Sequence, residues 1–448
     1  MSIIIPANSA VAGGYDVDNS VRFNNSEYLQ RTNGTATDDK KYSLSFWVKR
    51  SKLGEDDRIF NNQYDGSNWG YLMFKSDNTI RIADRQAGTD RIDWITTQVF
   101  RDISAWYHFY LAIDTTQGTA DNRVKFYVNG TQVTSFTKNA SPSLNNALGF
   151  QQATATNLAR IATADGGGNL FSGYMSEIVF IDGTQNAVTD FGEFDEDSGI
   201  FKPIDVSGLT FGDNGYYLNF QDSAELGTDV SGESNTYTEV NLTAIDQTTD
   251  TCTNNFATGN ILSPYANRTI SDGNLTITST TTQWTNICST IGVSSGKWWI
   301  ELKHTTGSYG GLGIVSPFPQ TENNVIGDFS APVIQQIGYV AASGDKKINN
   351  STSSYGSTWV GTGDIVNMSL NLDDNELKFY KNGTVQDSGT AIAISSGYTY
   401  FVGTSNYNSS GSSFNFGNPA FSISSGNADA NGYGNFEYAP PAGFLALC

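Results

Sequence analysis

Histidine is almost absent from this chain of 448 residues, which has two, His108 and His304, and only three cysteines, Cys252, Cys288 and Cys448. That leaves almost no raw material for a Ser-His-Asp or Cys-His nucleophilic arrangement. The cysteines are odd in number and share no CxxC spacing, so they read as thiols, in neither a disulfide framework nor a zinc site. Long hydrophobic runs are missing too. No stretch approaches the roughly 20 apolar residues that span a bilayer. The opening Met1-Ser2-Ile3-Ile4-Ile5-Pro6-Ala7-Asn8-Ser9-Ala10 also lacks the basic region of a signal peptide. The expectation is a soluble protein without membrane insertion, made in a cytoplasm and released by lysis or a specialised route. Basic residues are scarce, 25 against 45 acidic ones, for a formal charge of −20. Such a surface repels phosphate backbones and anionic lipids, which argues against a nucleic-acid partner. It also keeps a protein soluble at high ionic strength, where screening shortens self-repulsion, and so suits a saline habitat.

What the chain does have is 46 Gly, 26 Phe, 22 Tyr and 8 Trp among abundant Ser, Thr and Asn, the strand and turn formers of short-stranded β architectures. Its length suits two domains of about 100 to 200 residues plus connections. Alternating runs such as Leu44-Ser45-Phe46-Trp47-Val48 and Phe109-Tyr110-Leu111-Ala112-Ile113 predict strands with one face buried. After Val124-Lys125-Phe126-Tyr127-Val128 comes Asn129-Gly130, the pair that supplies two positive φ angles to a type I′ hairpin. The device returns as Leu377-Lys378-Phe379-Tyr380-Lys381-Asn382-Gly383, which implies two domains of related design.

The predicted fold class is therefore all-β, with two tandem antiparallel β-sandwich (jelly-roll) domains, a short N-terminal arm and a C-terminal tail. The arm covers residues 1–14 and the first sandwich 15–183. A polar connecting segment, 184–264, carries one convincing strand, Tyr216-Tyr217-Leu218-Asn219-Phe220. A structureless loop of that length is unusual, so part of it should pack back on a sandwich. The second sandwich covers 265–425. The tail, 426–448, ends in the apolar Phe444-Leu445-Ala446-Leu447-Cys448, which is suited to docking.

The first sandwich resembles a laminin-G or concanavalin A-like lectin domain of the pentraxin type. The residues that carry this are Val21-Arg22-Phe23, Tyr42 to Val48, Trp106-Tyr107-His108, the Phe126 to Gly130 hairpin and Phe171 to Ile178. The second resembles a SPRY domain through Ser295 to Glu301, Ile337-Gly338-Tyr339, Gly363-Asp364-Ile365-Val366 and Phe379 to Gly383. The flanking Ile5 to Ala10, Thr253 to Thr258 and Phe436 to Pro441 resemble segments of structural proteins from phages of marine bacteria. That resemblance implies a virion fibre or appendage, and a further short segment after Cys448.

Candidate chemistry is sparse. His108 alternates with Phe109 and should sit on the more polar face of its strand, and His304 reads as a solvated turn residue. Glu193-Phe194-Asp195-Glu196-Asp197 imitates the paired carboxylates of a glycosidase, but it lies beyond the last strand of the sandwich and reads as an acidic loop. No cofactor is required. The lectin-like resemblance implies a rim site for Ca²⁺, which takes roughly six to eight oxygens, and Asp65, Asp114 and Asp121 are its candidate ligands; loops at Asp165 and from Asp222 to Asp229 are further sources. Sugar binding would use exposed rings beside amide and carboxylate groups, and Tyr64, Trp69, Tyr309 and Trp359 are the candidate contacts.

The expected function is that of a non-enzymatic phage virion protein, a tail or head fibre that attaches to a host-surface glycan. Its expected partners are other virion proteins and copies of itself, as a trimer. A capsid decoration protein is the alternative, ahead of a glycan-cleaving enzyme and a secreted cellular lectin.

Overall fold

Asn129 and Gly130 take φ values of 47° and 74°, and Asn382 and Gly383 take 48° and 75°. Both pairs thus adopt the two left-handed residues that close a tight hairpin between strands of matching twist. Each turn joins paired strands, Val128 opposite Thr131 and Lys381 opposite Thr384. The computed structural model describes residues 14–152, 158–263, 267–319, 323–330 and 333–448. Most of the predicted arm, with Ile3, Ile4, Ile5 and Pro6, lies outside the described residues. The fold is all-β with antiparallel sheets, and the described residues contain only short 3₁₀ turns as helix. Contacts divide the chain into two compact units that meet between Asn255 and Phe256.

In the first unit, one sheet places Lys41–Arg50 between Tyr107–Asp114 and Ser172–Asp182, and Val124–Val128 and Ser20–Asn24 lie outside these. The second sheet runs from Phe136–Ala140 through Thr89–Thr96, Ile80–Gln86, Asn68–Phe74, Asp57–Asp65, Ala159–Ile161 and Tyr28–Arg31 to Thr238–Val240. Alternate residues meet between the sheets. Phe46 of the first and Phe60 of the second lie 4.8 Å apart edge to face, inside a cluster with Leu44, Leu72, Phe109 and Met175. The segment after Asp182 adds short strands to both sheets and covers the first sheet's outer face. Tyr216–Leu218 pairs with Ser172–Asp182, and Phe191, Val206 and Phe211 pack on Tyr110, Val179 and Tyr217. Phe201 closes over Trp47, Trp106 and Tyr174.

That cover corrects the reading of His108. The imidazole faces away from Phe109, but it is fully buried beneath Phe201, with ring centroids 4.9 Å apart. Its Nε2 shares a 2.9 Å hydrogen bond with the Ser45 hydroxyl, and burial lowers its pKa to about 3.

The second unit repeats the plan. Lys297–Thr306 lies between Ile365–Asn371 and Gly411–Asn415 in one sheet. In the other, Tyr400–Asn406 lies between Thr285–Val293 and Gly311–Ser316. Tyr339 and Phe379 meet across the core with centroids 5.4 Å apart. His304 is not a solvated turn residue, because its strand runs on to Thr306 and its side chain is buried, with Nε2 2.9 Å from the Gly307 carbonyl. The chain's last residues dock on this sandwich. The Trp299 backbone N–H bonds the Leu445 carbonyl and the Leu445 N–H bonds the Lys297 carbonyl, each at 2.8 Å. Phe436, Ala446 and Leu447 are completely buried.

Candidate functional site

Three loops leave one end of the second unit's six-stranded sheet. Thr285 pairs with Asn406, and Ser405 pairs with Gly311. The segments preceding Thr285, preceding Gly311 and following Asn406 therefore lie side by side. Each presents one aromatic ring, Trp284, Tyr309 and Tyr407. Trp284 and Tyr407 lie 5.2 Å apart with a 37° tilt. Tyr309 stands almost at right angles to both, 5.1 Å from Tyr407 at 79° and 6.5 Å from Trp284 at 85°. The result is a corner in which Trp284 and Tyr407 partly overlap and Tyr309 stands edge-to-face against both.

Backbone hydrogen bonds hold the corner in shape. The Ser410 hydroxyl accepts the N–H groups of Ser308 and Tyr309 at 3.1 and 3.0 Å. The Asn323 amide oxygen accepts the Trp284 N–H at 2.8 Å. Ser279 donates its hydroxyl to the carbonyls of Thr281 and Gln283. Rings held this way lose little freedom when a ligand arrives, which favours affinity. Tyr309 is 38% exposed, while Trp284 and Tyr407 are half-buried.

The other predicted contacts fall elsewhere. Tyr64 is 40% exposed on the hairpin between Asp57–Asp65 and Asn68–Phe74. Trp69, on the same hairpin, stacks on Tyr71 at 5.1 Å and lies under the Arg85 guanidinium. Trp359 is a correction, since it has no exposed surface. Its ring packs on Tyr339 and His304 in the core, and its backbone N–H bonds the Ala341 carbonyl at 3.0 Å. Trp284 and Tyr407 were missed, although each is a lone ring in a Thr-, Asn- or Ser-rich loop, the signal that picked out Tyr309.

The proposed calcium ligands serve local turns. Asp65 accepts the Ser67 N–H at 2.6 Å and the Asn68 amide at 3.0 Å. Asp114 accepts the N–H and hydroxyl of Thr116 and the amide of Gln117. Burial raises the Asp114 pKa, but these hydrogen bonds outweigh it and leave the carboxyl below its usual range. Asp121 lies 3.9 Å from Lys138. Among the described residues, no three His, Cys, Asp or Glu side chains gather as a metal site.

The glycosidase-like run is likewise occupied by its own hairpin. Glu193 and Phe194 belong to the short strand Gly192–Phe194 rather than to a loop. Glu193 and Asp195 both contact the Lys202 ammonium, at 3.3 and 3.4 Å. The Ser198 N–H and hydroxyl hold the Asp195 pKa at about 2. A carboxyl this acidic is unsuited to donate a proton near neutral pH.

A model of the concanavalin A-like lectin/glucanases superfamily matches residues 23–187, so the first sandwich has a lectin-like fold. Solved structures similar to the chain include the SPRY domain of human HERC1, at 14% identity. There the match covers 34% of this chain and 93% of that one, with a TM-score of 0.27. Another is a heptameric SAP-like pentraxin from Limulus polyphemus, at 16% identity, with 37% of this chain and 77% of that one covered and a TM-score of 0.27. Among curated proteins none matches.

Proposed function

We propose that this chain is a non-enzymatic virion protein, a fibre or appendage that attaches a phage to a glycan on its host's surface. The observation that carries the binding part is the corner of Trp284, Tyr309 and Tyr407, three rings held at one sandwich end by polar loops. Apolar rings flanked by hydroxyl and amide groups suit a ligand with an apolar face and a polar rim. The lectin-like fold of the first sandwich supports the same reading. The virion part rests on the flanking segments that resemble phage structural proteins. Homotrimers would repeat each weak contact and gain strength by multivalency.

Two measurements test this together. Glycan-array binding by the purified chain is expected to show at least one hit. A cryo-EM map of the particle is expected to place the chain in a projection from the tail or a vertex. Density lying flat across capsid subunits would replace attachment with a decoration role.

A further inference from the structure

The three loops that form the aromatic corner, 280–284, 307–310 and 407–410, contain no Asp, Glu, Lys, Arg or His. They consist of Thr, Gln, Ser, Asn and Gly around one ring each. On a chain with a formal charge of −20, three adjoining loops without charge are the feature that decides the ligand's chemistry.

An acidic saccharide would need a guanidinium or ammonium group to receive its carboxylate or sulfate, and these loops supply none. The net negative charge of the chain would repel such a ligand at long range. A quaternary ammonium is the opposite candidate, because rings set at right angles can form a cage for a cation. The spacing argues against it. Centroids 5.1 and 5.2 Å apart are those of rings in direct contact, so no gap remains between Tyr407 and its two neighbours for a trimethylammonium group. The rings instead make a continuous bent surface. A pyranose could lay its C–H face on the exposed Tyr309 ring, set an edge against the outer surface of Trp284 or Tyr407 and turn its hydroxyls toward the loop amides and hydroxyls.

We infer that the corner binds a neutral saccharide. This rests on the glycan-attachment reading above and narrows it to uncharged sugars at one named surface of the second sandwich.

The test is affinity electrophoresis of the full chain through gels that hold dextran, yeast mannan or laminarin as neutral probes. Alginate and chondroitin sulfate serve as acidic probes and phosphocholine as a competitor. At least one neutral polysaccharide is expected to retard the chain. Tyr309→Ala and Trp284→Ala should each weaken that binding about tenfold or more, the loss typical of a contact residue at the centre of a site. Trp284→Phe, which keeps a ring, should retain most of it, and Tyr398→Ala, an exposed ring at the opposite end of the strand Tyr400–Asn406, should leave it unchanged. Circular dichroism of each variant separates lost binding from lost fold.

Neutral binding that survives both alanine variants would overturn the assignment to this corner and leave glycan attachment standing. Corner-dependent binding of only the acidic probes, or competition by phosphocholine, would overturn the ligand class. Failure to bind any polysaccharide in the panel would overturn the attachment reading itself and the narrower one with it.

Discussion

The Tyr217 hydroxyl donates a 2.6 Å hydrogen bond to the Glu177 carboxylate on the outer face of the first sandwich. Glu177 sits where the pairing of Ser172–Asp182 with Lys41–Arg50 slips, and its φ of 50° is left-handed. Such bulges re-aim a side chain. Here the slip leaves Glu177 buried beside Tyr217, and the Tyr15 hydroxyl also reaches it, at 3.3 Å. Burial raises the Glu177 pKa to about 7.

The first prediction is that the fold is more stable near pH 5 than near pH 8. Asp84 and Glu301 are buried like Glu177, and their pKa values also rise to about 7. A carboxyl whose pKa is higher folded than unfolded gives stability that is complete below its unfolded pKa and is lost as pH rises through the folded value. For these three groups the window runs from about 4 to about 7. His108 opposes them, since its lowered pKa removes stability as pH falls from about 6.5 towards 3. Three groups outweigh one, and a lower net charge at acidic pH acts in the same direction. Melting temperatures across pH 5 to 8 check this, and a maximum at pH 8 would refute it.

Glu177→Gln isolates one of the three. Its amide oxygen can accept both tyrosine hydroxyls, as Oε2 does now, while the buried charge is gone. The variant should melt higher than wild type at pH 8 and match it near pH 5. Equal shifts at both pH values would mean that the charge is not what costs stability there.

Lys49 and Asp250 make a buried ion pair at 2.8 Å, and Trp106 Nε1 donates to the same carboxylate at 3.0 Å. Asp250→Ala removes the counter-charge of the buried Lys49 ammonium, leaving it the Asn255 amide oxygen at 2.7 Å, and takes the acceptor from the Trp106 indole N–H, which should cost about 3 to 5 kcal/mol in urea unfolding. The double variant Lys49→Met/Asp250→Leu should recover part of that loss, because no buried charge is left without a partner. A cost below about 1 kcal/mol for the single variant would show that water reaches the pair.

The docked C-terminal segment should be integral to the second sandwich. Glu301 accepts the N–H groups of Glu437 and Tyr438 at 3.0 and 2.9 Å and the amides of Asn367 and Asn415. Phe436 packs with Phe256 and Trp299. Phe436→Ala should cost about 3 to 5 kcal/mol. Native-state hydrogen exchange should find the Glu437 and Tyr438 amides as protected as those of the central strands. Rapid exchange there would mean that the segment frays independently.

The hairpins at Asn129-Gly130 and Asn382-Gly383 were legible because they are local, two residues of positive φ between alternating strands. The Lys49–Asp250 pair was not, because it joins positions 201 apart in the chain, and no periodicity encodes which polar segment covers which sheet face. His304 was misread because Thr-Thr-Gly resembles a turn, whereas pairing with Gly411–Asn415 extends its strand. Trp359 looked exposed among Ser, Gly and Thr, yet the core drew its ring in. Tyr309 was found alone, since only the order of strands brings Trp284 and Tyr407 beside it.

The last prediction concerns a small cavity of about 20 Å³ in the first sandwich, room for one water molecule. Arg31, Asn61, Asn62 and Gln151 line it, and each is more than nine-tenths buried. Among the described residues, the Arg31 Nε, Asn61 Nδ2, Asn62 Oδ1 and Gln151 Oε1 atoms have no hydrogen-bond partner. Each buried polar group left unsatisfied costs about 1 to 3 kcal/mol, so a group that both donates and accepts should fill the space. Two donors and two acceptors match one water molecule. A high-resolution crystal structure should show ordered water within hydrogen-bonding distance of Asn61 and Gln151. Asn61→Leu should then destabilise the fold by roughly 1 to 2 kcal/mol, through loss of one of that water's contacts. If the cavity is dry, the same substitution removes an unsatisfied amide and should be neutral or stabilising, so the sign of the change in urea unfolding decides between the two.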